Sequence, residues 1–117
     1  MYSEPVLDHF RNPRNVGVLP SPALTVDVSN PACGDTLRLS ARFDHGRVAE
    51  ARYQCRGCTA SIAAGSALTE WMMGKSRAEL AMLTPAALEQ LLGGFEPASK
   101  HAAVLCVDAI RKLLGVK

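Results

Sequence analysis

The hydrophobic period of this chain changes once, at Gly57, and that change limits what it can fold into. Before it, apolar residues alternate with polar ones. Leu24, Val26 and Val28 are interleaved with Thr25, Asp27 and Ser29; Leu37, Leu39, Ala41 and Phe43 with Arg38, Ser40 and Arg42; Ala49, Ala51, Tyr53 and Cys55 with Glu50, Arg52 and Gln54. A period of two puts each apolar set on one face of a strand, and Asp44-His45-Gly46 supplies the hairpin turn between the second and third. After Gly57, residues Ala60, Ala63, Ala64, Ala67, Leu68 and Trp71 fall at helical spacing, and Gly74 ends the run. Strands followed by helices predict an α+β domain, a three-stranded antiparallel sheet with helices packed on one face.

The remaining helices are read from their punctuation. Ser3 before Glu4-Pro5 caps a short helix that runs to about Arg11, where Asn12-Pro13 stops it. Gly and Pro make a loop of the stretch from Val16 to Pro22. Ser76 to Met82 reads as a short helix, Thr84-Pro85 as the start of another over Ala86 to Leu92, and Gly93-Gly94 as its end. Pro97 marks a further break. The last helix is expected from about Ser99 to Leu114, with Ala103, Cys106, Val107, Ile110, Leu113 and Leu114 as its apolar stripe. No repeat, low-complexity tract or linker interrupts the pattern, so residues 1–117 are read as one domain.

Bulk properties exclude several classes. A chain of 117 residues can bury a core without a disulfide framework. Asp8, His9 and Arg11 break up the first dozen residues, so no secretory leader is expected there, and the four cysteines fit a reducing cytoplasm. No apolar run approaches the roughly 20 residues that span a bilayer. A net charge of +2 with scattered Lys and Arg, and aromatics at only 5%, leave no basic stripe or stacking platform for nucleic acid.

The cysteines carry the chemistry. Cys33 lies in a loop between Pro31 and Gly34, with Asp35 adding a hard oxygen donor two residues on. Cys58 stands where a strand gives way to a helix, so the helix N-terminus should favour its thiolate, and Thr59, Ala60 and Ser61 keep the first turn small. Cys106 falls in the apolar stripe of the last helix, where a buried structural thiol is the common case. Cys55 and Cys58 spell Cys-x-x-Cys, but alternation turns Cys55 toward the core, and the second pair of a zinc ribbon is absent. His9 belongs to the N-terminal segment and His45 to the hairpin turn. His101 precedes Cys106 by five residues, a rotation of roughly 140° on a continuous helix, and is expected at the surface or as a cap. Soft thiolates beside one carboxylate suit zinc, iron-sulfur or persulfide chemistry.

Several segments together carry a resemblance. Tyr2-Ser3-Glu4, Val6 to Gly17 (Val-Leu-Asp-His-Phe-Arg-Asn-Pro-Arg-Asn-Val-Gly), Pro31-Ala32-Cys33-Gly34-Asp35, Gly57-Cys58 before a small-residue helix with Ser61, Ala63 and Ser66, and a late helical cysteine occur in this order. Over its whole length the chain resembles the IscU/NifU-type iron-sulfur cluster assembly scaffolds. The resemblance implies that Cys33, Cys58 and Cys106 hold a transient [2Fe-2S] cluster or a zinc ion, with Asp35 as ligand or modulator, and that any of the three thiols could accept sulfur. It implies a cysteine desulfurase as sulfur donor, apo-proteins as acceptors, and a platform rather than a catalyst. The IscU branch carries a histidine directly before its last cysteine. Here Leu105 precedes Cys106, which leaves the fourth ligand to Asp35, His101, water or a partner residue. That branch also carries a Leu-Pro-Pro-Val-Lys chaperone-binding stretch, replaced here by Phe95-Glu96-Pro97-Ala98-Ser99-Lys100, so an Hsp70-type partner is not implied. Cys58 and Cys106 lie 48 positions apart, a spacing that matches neither the IscU branch nor the longer SufU branch. A SufU-like zinc-dependent sulfur acceptor and a small structural zinc module stay open as alternatives.

Overall fold

Ser3 and Pro5 start the first helix as their positions predict. In the computed structural model, which describes residues 2–31 and 34–115, α1 (Glu4–Arg11) takes Ser3 as its N-cap, whose hydroxyl oxygen accepts the Val6 amide. Such a cap contributes about 1 kcal/mol. The same hydroxyl donates to the carbonyl of Leu92, which ties the start of the chain to its second half.

The alternating segments form β1 (Leu24–Asn30), β2 (Asp35–Asp44) and β3 (Arg47–Arg56), an antiparallel sheet in the order β1-β2-β3. Leu37 pairs with Val28 and Cys55, and Leu39 with Val26 and Tyr53, so one face is apolar. His45 and Gly46 both have positive φ, at 52° and 77°, the twist-matched two-residue turn of a tight hairpin. One expectation fails here. Phe43 pairs with Val48 but Arg42 with Glu50, so Ala49 is the extra residue of a bulge, and Val48 rather than Ala49 is buried. Alternation alone does not signal a bulge.

The helices follow with small shifts of boundary. They are α2 (Thr59–Met72), α3 (Arg77–Ala81), α4 (Pro85–Leu91) and α5 (Lys100–Leu113), the last entered through a single 3-10 turn at Pro97–Ser99. Ser76 and Glu79 close a capping box on α3, and Thr84 caps α4. Helix α2 packs against α1, β3 and α5, while α5 covers β1 and β2. Because α2 is enclosed on nearly all sides, its residues are small: Ala60, Ala63, Ala64, Gly65 and Ser66 are all buried. Gly65 is required by the approach of Tyr53, since a Cβ there would stand 2.5 Å from a ring carbon. The Tyr53 hydroxyl donates to the Ile62 carbonyl at 2.8 Å, fixing α2 on β3. Among the described residues no helix is long and apolar enough to cross a membrane.

His9 joins α1 to α2. It is 9% exposed, and its Nδ1 lies 2.7 Å from Ser66 Oγ, which also accepts the Arg14 amide at 2.9 Å. Burial pushes the His9 pKa below its ordinary 6.5; the Arg14 charge adds to this, and Glu70 and Asp8 oppose it. A histidine buried neutral contributes stability that is present above the unfolded pKa and lost as pH falls toward the folded one. Urea midpoints measured from pH 8 down to 5 should therefore fall more steeply for the wild type than for His9→Asn; parallel curves would show that His9 is not held neutral. Gly65→Ala should lower stability by about 1–3 kcal/mol through overpacking against Tyr53, read as a lower urea midpoint.

Candidate metal centre

Three chain ends meet at one end of the sheet. β2 begins at Asp35, β3 ends at Arg56 opposite Thr36, and the chain then passes through Gly57 to Cys58, the N-cap of α2. The third end is the start of α5, whose first turn carries His101. Gly57 permits this junction. A Cβ at that position would lie 2.7 Å from Asp35 Cγ and 2.8 Å from its Oδ1, so any larger residue would push the carboxylate away.

Asp35 is 5% exposed, while Cys58 and His101 are partly exposed. Asp35 Oδ2 lies 3.1 Å from His101 Nε2 and 3.8 Å from Cys58 Sγ, and the Cys58 sulfur lies 3.6 Å from the same ring nitrogen. Ser61 donates its hydroxyl proton to Asp35 Oδ2, and its oxygen is 3.4 Å from Cys58 Sγ. Although Cys58 occupies the N-cap, its side chain makes no capping bond to α2 and faces this group instead.

One thiolate, one imidazole and one carboxylate form a donor set suited to zinc or iron. Bonds of about 2.0–2.3 Å at tetrahedral angles separate donor atoms by about 3.3–3.8 Å. The observed separations of 3.1, 3.6 and 3.8 Å thus approximate one triangular face around a single ion. The donors fit such an ion without rearrangement of the backbone.

Of the residues expected at the site, Asp35 and Cys58 are brought together. Cys33 lies outside the described residues; its flanks close through the Gly34 amide, which donates to the Asn30 carbonyl at 2.8 Å. Cys106 does not join the group of donor atoms that lie within 4.8 Å of one another. It is 1% exposed in the core, and burial, then the nearby Cys55, push its pKa far up. Cys55 shares the inner face of β3 with Tyr53 and Ala51, and burial, then Asp35 and Cys58, push its pKa up to about 12. Both thiols are therefore held neutral.

His101, which the sequence reading expected at the surface or as a cap while leaving it among the candidates for a fourth ligand, lies beside Asp35 and Cys58. Helix α5 starts at Lys100, so His101 stands in the first turn facing Asp35, and the roughly 140° rotation that separates it from Cys106 turns the cysteine into the core instead. Leu105, which precedes Cys106, is 3% exposed, and Ala102, which follows His101, is fully buried.

Fold and site define a small α+β protein with a mixed sulfur, nitrogen and oxygen centre where its sheet and two helices meet. The model of the NifU-like N-terminal domain matches residues 1–115, and the chain belongs to that family. The iron-sulfur cluster assembly scaffold protein IscU of Escherichia coli K12 is 38% identical over 118 residues, 97% of this chain and 91% of that protein. The Archaeoglobus fulgidus scaffold protein IscU 1 is 37% identical over 114 residues, 97% of this chain and 74% of the relative. Among solved structures, a candidate SUF-system iron-sulfur cluster assembly scaffold protein from Fervidobacterium islandicum AW-1 superposes with a TM-score of 0.80 at 21% identity, covering 97% of this chain and 96% of that one.

Two outcomes are expected of this geometry. Gly57→Ala should weaken zinc binding by displacing Asp35, measured by chelator competition. In a Cys33→Ser background, Cys58 should supply the fast-reacting thiol toward a chromogenic disulfide at pH 8, because Cys55 and Cys106 are held neutral; fast reaction persisting in Cys33→Ser/Cys58→Ser would contradict the assignment.

Proposed function

We propose that the protein is a scaffold on which a [2Fe-2S] cluster is built from iron and desulfurase-derived sulfur and then passed to apo-proteins. The observation that carries this reading is the convergence of Asp35, Cys58 and His101 within 4.8 Å of one another. Membership of the NifU-like family and similarity to proteins named as cluster assembly scaffolds support it. The proposed ligands are Cys33, Asp35, Cys58 and His101, with Cys106 left in the core.

Sulfur arrives as a persulfide on a cysteine desulfurase. The Cys58 thiolate attacks the terminal sulfur, the sulfur-sulfur bond of the donor breaks, and the donor cysteine leaves as a thiolate while Cys58 carries the persulfide. No external oxidant is consumed. Asp35 and His101 flank the receiving sulfur.

A second reading, a SufU-like zinc-dependent sulfur acceptor, is favoured by one observation. The three donor separations match a single ion, and no second group of donors occurs among the described residues. In that reading zinc is the resident ion and Cys58 the sulfur acceptor.

Anaerobic incubation with iron, cysteine and a cysteine desulfurase tests both. A coloured, oxygen-sensitive [2Fe-2S] species that activates an apo-ferredoxin is expected. It should be lost in Cys58→Ser and in His101→Ala and retained in Cys106→Ala. Cys55→Ala or Cys55→Val should also retain it, with a packing cost of about 1 kcal/mol. Persulfide on a zinc-loaded protein without cluster formation would favour the acceptor reading; tightly held zinc with neither sulfide nor persulfide would favour a structural module.

A further inference from the structure

We propose that Ser61 is the positioning residue of this centre: its buried hydroxyl fixes Asp35 in line with Cys58 and His101 and thereby sets how tightly a metal ion is held. The inference rests on the proposed ligand set and adds a residue that is not itself a ligand. Ser61 is 2% exposed and stands in the first turn of α2, three residues after Cys58. A side chain at that position commonly reaches back to the capping residue's amide. Here it turns to Asp35 Oδ2 instead.

The contact is consequential because Oδ2 is the oxygen that faces both other donors, at 3.1 Å from His101 Nε2 and 3.8 Å from Cys58 Sγ. A hydroxyl has one proton. With that proton on Asp35, the Ser61 oxygen presents only lone pairs to Cys58 at 3.4 Å, so it can accept from the thiol and has no proton to offer the thiolate. Ser61 therefore acts on the carboxylate. Gly57 also stands against this carboxylate, with no more room than its own missing Cβ provides. Asp35 is thus confined by the approach of Gly57 and oriented by Ser61. Hydrogen bonds of this outer kind typically alter metal affinity by about 10–100-fold when removed.

The test measures zinc affinity by chelator competition for the wild type, Ser61→Ala, Ser61→Thr, Asp35→Ala and the Ser61→Ala/Asp35→Ala double variant, with metal-free thermal melts alongside. Ser61→Ala should weaken zinc binding by about 10–100-fold. Ser61→Thr, which keeps the hydroxyl, should restore most of it. Adding Ser61→Ala to Asp35→Ala should weaken binding no further, because the serine acts through the aspartate. If Ser61→Ala does not fold, Ser61→Gly takes its place in both comparisons. Wild-type affinity in Ser61→Ala, or full additivity with Asp35→Ala, would overturn the inference. Absence of zinc binding by the wild type would instead overturn the ligand set on which it rests.

Discussion

The site depends on one buried carboxylate. Asp35 is 5% exposed at the first position of β2, and a carboxylate removed from water is costly unless its oxygens are bonded. The chain meets that requirement with residues from two other elements, Ser61 in α2 and His101 in α5, and makes room for it with Gly57. Each of these residues is fixed by an element boundary: the start of β2, the passage from β3 into α2, and the restart of the helix after Pro97. The same boundaries set Cys58 beside Asp35, so the contacts that satisfy the carboxylate also assemble the donor set.

Behind the site, the core is built for close approach. Helix α2 can sit against Tyr53 only because Gly65 has no side chain, and its alanines let α1 and α5 close on it. That placement fixes the helix N-terminus, and with it Cys58, relative to the sheet. Cys55 and Cys106 belong to this core layer. Burial holds them as neutral thiols, poor ligands and poor nucleophiles, while the thiol at the helix start faces the donors. Position in the fold separates cysteines that composition cannot distinguish.

The strands, the hairpin turn and the caps at Ser3 and Thr84 were legible because each depends on local chemistry: a period of two, a pair of turn residues, a hydroxyl before a helix. The bulge at Ala49 was not, since it arises from the pairing of two strands. Asp35 and Cys58 were legible as donors from their places at a loop and a helix start. His101 was named as one candidate for the fourth ligand but expected at the surface or as a cap, because it was placed by its rotation from Cys106; that it faces Asp35 depends on how the first turn of α5 meets the start of β2, which helix periodicity does not give. Ser61 was read only as a small residue that leaves room, and its bond to Asp35 needs the two elements side by side.

The central claim is that the centre uses His101 and leaves Cys106 in the core. X-ray absorption at the zinc edge of the zinc-loaded protein tests this most directly, because imidazole and thiolate ligands scatter differently. The account predicts imidazole multiple scattering that disappears in His101→Ala, and sulfur scattering unchanged in Cys106→Ala. A first shell dominated by sulfur, without imidazole and diminished in Cys106→Ala, would contradict it.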